Sequence, residues 1–293
     1  MPIRADQLRE TTDYQRLIID ELVKKNKYLE RKSEEHYNKA YAMDTELLLK
    51  FLNDTQPEKM ERLKRIYKDN FESTVLNTIN NDICSRNGSL IDSLKNGVEF
   101  DNGTTLYLYI SKPETDFNPK DNENYKKNIL SVMEEVYHKE KERVDLVIFL
   151  NGIALFAFEL KCNTTNQNYK DAIFQYKDTR DATTRLFLYK KGVICAFAMD
   201  LNEVYFTTKL NGKSTHFMPF NKGDNFGPGN PHNRNGINVS YMWEDILTLE
   251  NISFILTHLV FIQHSEEIDS DTGVKTQKET LIFPRYHQLR AVR

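Results

Sequence analysis

RVDLVIFLNGIALFAFELKCN, residues 143–163, is the stretch of sequence that decides the fold. Two apolar runs flank Asn151-Gly152, a pair typical of a tight hairpin turn, so the stretch predicts two antiparallel strands in a core. Three charged residues interrupt the apolar runs: Asp145, Glu159 and Lys161. Because an unpaired buried carboxylate is costly, a metal ion, an ion pair or solvent in a cleft has to compensate both acids.

The spacing of these charges makes a prediction about the hairpin. Successive side chains on a strand point to opposite faces, so Glu159 and Lys161 share a face. In a regular hairpin with a two-residue turn, Asp145 would lie opposite Phe158 and would point away from Glu159. A common site for both carboxylates therefore requires a three-residue loop or a β-bulge on one strand. We predict one of these irregularities.

Two carboxylates and a lysine at one point suit a metal-dependent phosphodiesterase. Carboxylates bind Mg²⁺, and a lysine beside them orients or activates the attacking water and offsets developing negative charge. The same residues are also compatible with an exposed strand face or a cross-strand ion pair, so the pattern alone leaves both interpretations open.

Composition narrows the class of protein. The 293 residues are 39% hydrophobic and 28% charged with a net charge of -3, so a surface that binds nucleic acid has to be local. Three cysteines without metal-ligand spacing predict reduced thiols in a cytoplasmic protein. The N-terminus does not resemble a signal peptide, and no apolar run approaches the ~18 residues that span a bilayer. We therefore expect a soluble protein with no membrane partner.

Hydrophobic periodicity predicts helices first and a sheet afterwards. An N-terminal helical region at 1–100 contains amphipathic helices over 13–31, 43–54 and 57–80. The core is expected at 101–262, and 263–293 is expected to be a linker and the start of a further domain of a longer protein. The core elements predicted besides the hairpin are a strand at 104–110, a helix at 168–184, strands near 186–190, 193–199 and 203–208, a loop at 220–236 and a helical region at 240–262. This order indicates an α/β (α+β) fold with a mixed β-sheet flanked by helices.

The hairpin and the segments around it resemble a known family. VDLVIFLNGIALFAFELK (144–161) looks like the nuclease core of the PD-(D/E)XK superfamily, and more closely like the N-terminal nuclease domain of the restriction (R, or HsdR) subunit of type I restriction-modification enzymes. Residues 42–63, 219–231 and the closing FPRYHQLRAVR are similar to that family in its order. The resemblance covers essentially the whole chain and implies a restriction-endonuclease-like fold with Mg²⁺-dependent hydrolysis of double-stranded DNA.

By position, the resemblance implies roles for individual residues. Asp145 and Glu159 match the two metal-binding carboxylates, Lys161 the catalytic lysine, and Gln175 a glutamine on the helix that follows the motif. The family has a tyrosine four residues after that glutamine, where this chain has Thr179, so the role of that position is open.

Other positions near the motif carry weaker expectations. Tyr176 is predicted to lie on the wrong helix face to replace the missing tyrosine. The acid common in the first helix of the superfamily is replaced by Gln15, which leaves a contribution from Asp13 or Glu21 open. His138 is predicted to be a surface residue.

The resemblance also implies partners. Among the basic residues near the motif, Lys177 and Arg180 are singled out as candidates for contacts with DNA phosphates. The methylation and specificity subunits of the restriction complex are implied as partners. FPRYHQ is similar to the start of the family's ATP-driven motor, but the chain ends before a Walker motif, so Gln288 is expected to bind no ATP here. The alternative function is a non-catalytic DNA-binding or subunit-assembly module.

Overall fold

The computed structural model describes residues 4–8, 11–115, 117–268 and 275–293. The helices in these ranges are α1 (Thr11–Asn26), α2 (Ser33–His36), α3 (Thr45–Thr55), α4 (Pro57–Tyr67), α5 (Phe71–Cys84), α6 (Leu90–Asn96), α7 (Pro119–Lys126), α8 (Tyr169–Asp178), α9 (Leu249–Phe254) and α10 (Tyr286–Ala291). Two π-helical turns, Met242–Ile246 and Ile255–Leu259, flank α9.

The strands in the same ranges are β1 (Leu29–Glu30), β2 (Tyr37–Asn38), β3 (Met43–Asp44), β4 (Val98–Glu99), β5 (Thr105–Leu106), β6 (Leu130–Lys139), β7 (Glu142–Leu150), β8 (Ile153–Leu160), β9 (Cys195–Met199), β10 (Val204–Thr207), β11 (Met218–Pro219), β12 (Phe261–Ile268) and β13 (Lys275–Ile282). Most of them form one sheet in the order β1-β6-β7-β8-β9-β10-β11, which β3 joins through β8. β6, β7 and β8 are antiparallel neighbours, whereas β8 and β9 are parallel and α8 lies in the connection between them. The predicted mixed sheet flanked by helices is confirmed.

The sheet has a buried cluster of apolar side chains on each face. On β8, Phe158 and Leu160 belong to the larger cluster, which also contains the buried face of α1. Ala157 belongs to the smaller cluster, which contains Tyr176 of α8. Because side chains alternate along a strand, Glu159 points to the α8 side of the sheet.

The N-terminal helical layer is present, with changes in detail. The predicted helix over 57–80 is divided into α4 and α5, because Lys68 has a positive φ of 49°. Asp44 begins α3 by accepting a hydrogen bond from the Leu47 backbone N–H at 3.1 Å. The layer also supplies β1 and β3 to the central sheet, which the helical prediction did not include.

Two predictions for the segment after α8 were wrong. The helix predicted at 168–184 ends at Asp178, and no strand forms near 186–190; residues 179–194 are turns and irregular chain. The apolar residues that suggested a strand, Leu186 and Phe187, are instead buried in the smaller cluster. They fill the space between α8 and the sheet.

The C-terminal part packs on the main core. β12 and β13 form an antiparallel hairpin, and residues 269–274 of the predicted linker lie outside the described residues. Leu281, Phe283 and Leu289 are buried in the larger cluster. The predicted boundaries at 100 and 262 stay predictions. In the ranges that the structure describes, no helix is long and apolar enough to cross a membrane.

Candidate active site

An irregular hairpin brings Asp145 and Glu159 to one face of the sheet. Asn151 and Gly152 form a two-residue turn with φ values of 52° and 80°. Leu155 has no partner on β7, so β8 carries a β-bulge at this residue. The resulting shift of one residue continues along the hairpin and places Asp145 opposite Glu159. The predicted irregularity is confirmed as a bulge.

The turn of the hairpin is buried and held by hydrogen bonds. Asn151 is fully buried, and its side-chain Nδ2 donates to the backbone oxygen of Leu108 at 3.0 Å. The backbone oxygen of Gly152 accepts a hydrogen bond from the Asp44 N–H at 2.7 Å. A Cβ atom at Gly152 would lie 2.1 Å from the Asp44 oxygen, so only glycine fits this contact. These contacts fix the strand ends that position the site.

Glu159 is completely buried and is paired with one cation. Its Oε1 accepts a hydrogen bond from Arg180 Nε at 2.7 Å, with exposed side-chain fractions of 0% for Glu159 and 7% for Arg180. Its Oε2 has no hydrogen-bond partner among the described residues. Burial, and then the charge of Asp145, raise the pKa of Glu159 to about 8, although Arg180 and Lys161 oppose the shift.

Asp145 is held at the neighbouring position on β7. Its Oδ2 accepts a hydrogen bond from the Leu160 backbone N–H at 2.7 Å. Burial raises the pKa of Asp145, while this hydrogen bond and the nearby cations Lys161 and Arg180 oppose the shift. The buried Glu159 and the half-buried Asp145 thus share one site, and the charge of Asp145 disfavours the ionised form of Glu159.

Helix α1 lies on the other face of the sheet and supports the backbone of the site through Gln15. Its side-chain Nε2 donates to the backbone oxygen of Asp145 at 3.1 Å and to Glu134 Oε2 at 3.2 Å. Glu21, one of the two N-terminal acids left open by the sequence, forms an ion pair with Lys25. Glu134 on β6 lies opposite Leu146, which belongs to the larger cluster, so Glu134 faces α1 rather than the carboxylate of Asp145. The charge of Asp145 instead acts on Glu135, whose pKa is raised by burial and by that charge and which is ion-paired with Arg143.

Lys161 follows β8 on the same face as Glu159. Its backbone N–H donates to the Met199 oxygen at 2.9 Å, which extends the pairing with β9. The side chain is half-buried, and its ammonium group forms no ion pair with a carboxylate in the described part of the chain. Its positive charge lowers the pKa of both Asp145 and Glu159, so it lies close enough to act on both acids.

Helix α8 carries the remaining candidates. Gln175 is half-buried, and its backbone oxygen accepts a hydrogen bond from the Thr179 hydroxyl at 2.8 Å. The same hydroxyl accepts a hydrogen bond from Arg180 Nη1 at 3.0 Å. Thr179, which replaces the family tyrosine, therefore holds the guanidinium that pairs with Glu159. Lys177 is half-buried.

Tyr176 and His138 are both buried near the site, and the predicted surface position of His138 was wrong. Tyr176 is fully buried, and the charges of Glu159, Arg180 and Asp145 act on its hydroxyl group, so it faces the site from beneath. His138 is buried rather than exposed, and burial lowers its pKa to about 4. Its Nδ1 is hydrogen-bonded to the Thr184 hydroxyl at 3.2 Å. Both side chains contact the ring of Phe187, which the sequence had suggested to be in a strand.

The donor atoms fit a hard divalent cation that keeps other ligands. No group of three or more His, Cys, Asp or Glu side chains that could hold a metal ion occurs in the described ranges. Mg²⁺ often uses only one or two carboxylates and completes its shell with water and substrate phosphates. Asp145 and Glu159 provide such a pair, and the unpartnered Oε2 of Glu159 is a free ligand atom.

Comparisons with known proteins identify the family of the chain. The family described as type I restriction enzyme R protein N terminus matches residues 7–215, which include Asp145, Glu159 and Lys161. Over 162 residues the chain is 28% identical to a Methanocaldococcus jannaschii protein named "Putative type I restriction enzyme MjaIXP endonuclease subunit". That match covers 52% of this chain and 14% of the relative, so the chain corresponds to a small part of that protein. Because the family match covers well over half of its residues, the chain belongs to the type I restriction enzyme R protein N-terminus family.

Proposed function

We propose that this chain is the DNA-cleaving part of a type I restriction enzyme and that it hydrolyses phosphodiester bonds of double-stranded DNA with Mg²⁺. The observation that carries the proposal is the bulged hairpin, which sets Asp145 opposite Glu159 and leaves Lys161 on the same face. The name of the similar protein, an endonuclease subunit, supports the same reaction class.

Each residue has a defined task in this proposal. Asp145 and Glu159 hold the cation, which when bound polarises the phosphate and lowers the pKa of a water molecule. Lys161 orients the attacking water and stabilises negative charge that develops on the phosphate. Gln175 orients the water or contacts the DNA backbone. Attack by water on phosphorus then leaves 5′-phosphate ends.

DNA and partner proteins extend the proposal beyond the site. Lys177, on the helix that covers the site, is proposed to contact a DNA phosphate, as is Arg180 once it is free of Glu159. The methylation and specificity subunits would supply recognition of the DNA sequence, and ATP would be used only by the longer protein. If the chain were a non-catalytic assembly module, Glu159 and Arg180 would be a purely structural ion pair.

Cleavage by the complete restriction enzyme tests the proposal. Glu159→Ala and Lys161→Ala are each expected to lower the rate of double-strand cleavage by at least about a hundredfold, because each removes charge stabilisation at the reacting phosphate. Glu35→Ala and Lys32→Ala are the matched controls, since they remove one acid and one base of an exposed ion pair on and beside α2. ATP hydrolysis by the same preparations reports whether the enzyme has assembled. Unchanged cleavage in the first two variants would favour the assembly module.

A further inference from the structure

Glu159 is closed off in this structure. Its side chain has no exposed surface, one oxygen is bound to Arg180, and the other lies buried without a hydrogen-bond partner in the described part of the chain. An unpaired oxygen on a buried carboxylate is unfavourable unless something else satisfies it. A bound cation would satisfy this oxygen. Such a cation cannot reach Glu159 while Arg180 stays in place.

Arg180 reaches Glu159 from outside the regular elements, with a side chain that is 7% exposed. It directly follows Thr179, the last residue associated with α8, and it begins the irregular segment 179–194. Its hydrogen bonds with described side chains are those to Glu159 through Nε and to the Thr179 hydroxyl through Nη1. No strand carries Arg180, so its displacement would open the carboxylate without a change in strand pairing.

We infer that Arg180 closes the metal site of the free protein and exchanges Glu159 for a DNA phosphate when metal and DNA bind together. The inference rests on the proposed function and adds a regulatory step to it. In the free protein the guanidinium donates a hydrogen bond to Glu159 and is its counter-ion wherever that carboxyl group is ionised. In the complex the cation takes over that role, and Arg180 becomes a residue that binds the phosphate.

Electrostatics gives the exchange its direction. A guanidinium and a divalent cation compete for the same carboxylate, and their mutual repulsion disfavours binding both. When the metal displaces Arg180, the freed guanidinium needs a new anion, and its planar fork matches two phosphate oxygens. DNA therefore favours metal binding and metal favours DNA binding, as linkage requires of two coupled ligands.

Direct binding of Mn²⁺ to the 293-residue chain, without DNA, tests the closing role. Arg180→Gln is expected to bind Mn²⁺ on the order of tenfold more tightly than the wild type. In the wild type, only the molecules in which Arg180 has left Glu159 can bind the ion. Loss of the guanidinium also makes Glu159 easier to protonate, which opposes metal binding. The electrostatic gain is about twice as large for a divalent ion as for a proton, so the net effect still favours Mn²⁺. Arg180→Lys keeps a cation without the planar fork and is expected to lie between the two.

Arg62→Gln is the matched control for the metal titration. Arg62 is exposed on α4 and donates a hydrogen bond to the backbone oxygen of Asn102, so its loss is expected to leave Mn²⁺ affinity unchanged. If Arg180→Gln and Arg180→Lys both bind Mn²⁺ no more tightly than the wild type, the closing role is wrong. Thermal unfolding of each variant shows whether it is folded, and Arg180→Lys keeps the test decisive if the Gln variant is not.

DNA binding tests the second half of the exchange. With a duplex oligonucleotide and no metal, Arg180→Gln is expected to bind as the wild type does, because the wild-type guanidinium is held by Glu159. With Ca²⁺ present the same variant is expected to bind about tenfold more weakly, since one charge-assisted phosphate contact is lost. An equal loss of affinity with and without Ca²⁺ would overturn the exchange.

A separate variant distinguishes failure of this inference from failure of the proposed function. Glu159→Gln removes a proposed metal ligand and is expected to abolish Mn²⁺ binding at the site whether or not Arg180 is present. If Mn²⁺ binding survives this substitution, the metal site itself is wrong. If binding is lost in Glu159→Gln but is not strengthened in the Arg180 variants, the site stands and only the role of Arg180 is wrong.

Discussion

Metal binding at this site is expected to release a proton at neutral pH. Burial and the charge of Asp145 raise the pKa of Glu159 to about 8, so its ionised form dominates only above that pH. At pH 7 about one molecule in ten carries an ionised Glu159 by this value. Since only the ionised carboxylate is a good ligand, each metal ion bound at pH 7 displaces about 0.9 of a proton. The apparent affinity should rise about tenfold per pH unit and level off above a pH of about 8.

Calorimetric titration with Mn²⁺ in two buffers of different ionisation enthalpy measures this proton directly. We expect a value of about 0.9 at pH 7 and a value close to zero at pH 9 and above. Asp145→Asn is the matched variant: it removes the charge that raises the pKa of Glu159, so fewer protons should be released at pH 7, although binding becomes weaker. No proton release at pH 7 by the wild type, with an affinity that does not change with pH, would refute the reasoning.

Three further outcomes are expected. Gly152→Ala should lower the free energy of unfolding in urea by about 2–4 kcal/mol, because its new Cβ would meet the Asp44 oxygen at a positive φ; unchanged stability would contradict the buried turn. The wild type should lose up to about 3 kcal/mol of stability as pH falls from 6.5 to 4, because burial lowers the pKa of His138 to about 4 and the unfolded chain binds the proton more readily. His138→Phe should lack this loss when the free energies of unfolding of the two proteins are compared at pH 4 and 7. Lys161→Met should change the free energy of unfolding by less than about 1 kcal/mol, yet still abolish cleavage by the complete enzyme; a variant that fails only by unfolding would argue against a catalytic lysine.

The hairpin shows how far side-chain alternation can predict structure. In a regular hairpin with a two-residue turn, Asp145 and Glu159 would point to opposite faces of the sheet. A shared site therefore required one extra residue, and the bulge at Leu155 supplies it. The charge pattern predicted that a bulge or a longer loop exists. It could not place the bulge, because Leu155 and its neighbours are all apolar and are all buried.

The residues around the carboxylates were harder to predict because they depend on packing between distant elements. The sequence predicts Arg180 to be a candidate for a DNA phosphate on a helix that extends to 184, not a partner of Glu159. The chain leaves the helix at Thr179, and this turns Arg180 inward to Glu159. His138 is predicted to be a surface residue, but it is buried and packs edge-on against Phe187. No local pattern reports such contacts.

The central claim is that Asp145 and Glu159 hold one divalent cation. A crystal of the chain grown with Mn²⁺ and a DNA duplex at pH 8.5, measured at a wavelength where manganese scatters anomalously, tests it most directly. The account predicts a single strong anomalous peak within bonding distance of an oxygen of each carboxylate, with Arg180 turned away from Glu159. A peak bound elsewhere, or Glu159 still paired with Arg180 beside bound DNA and metal, would contradict it.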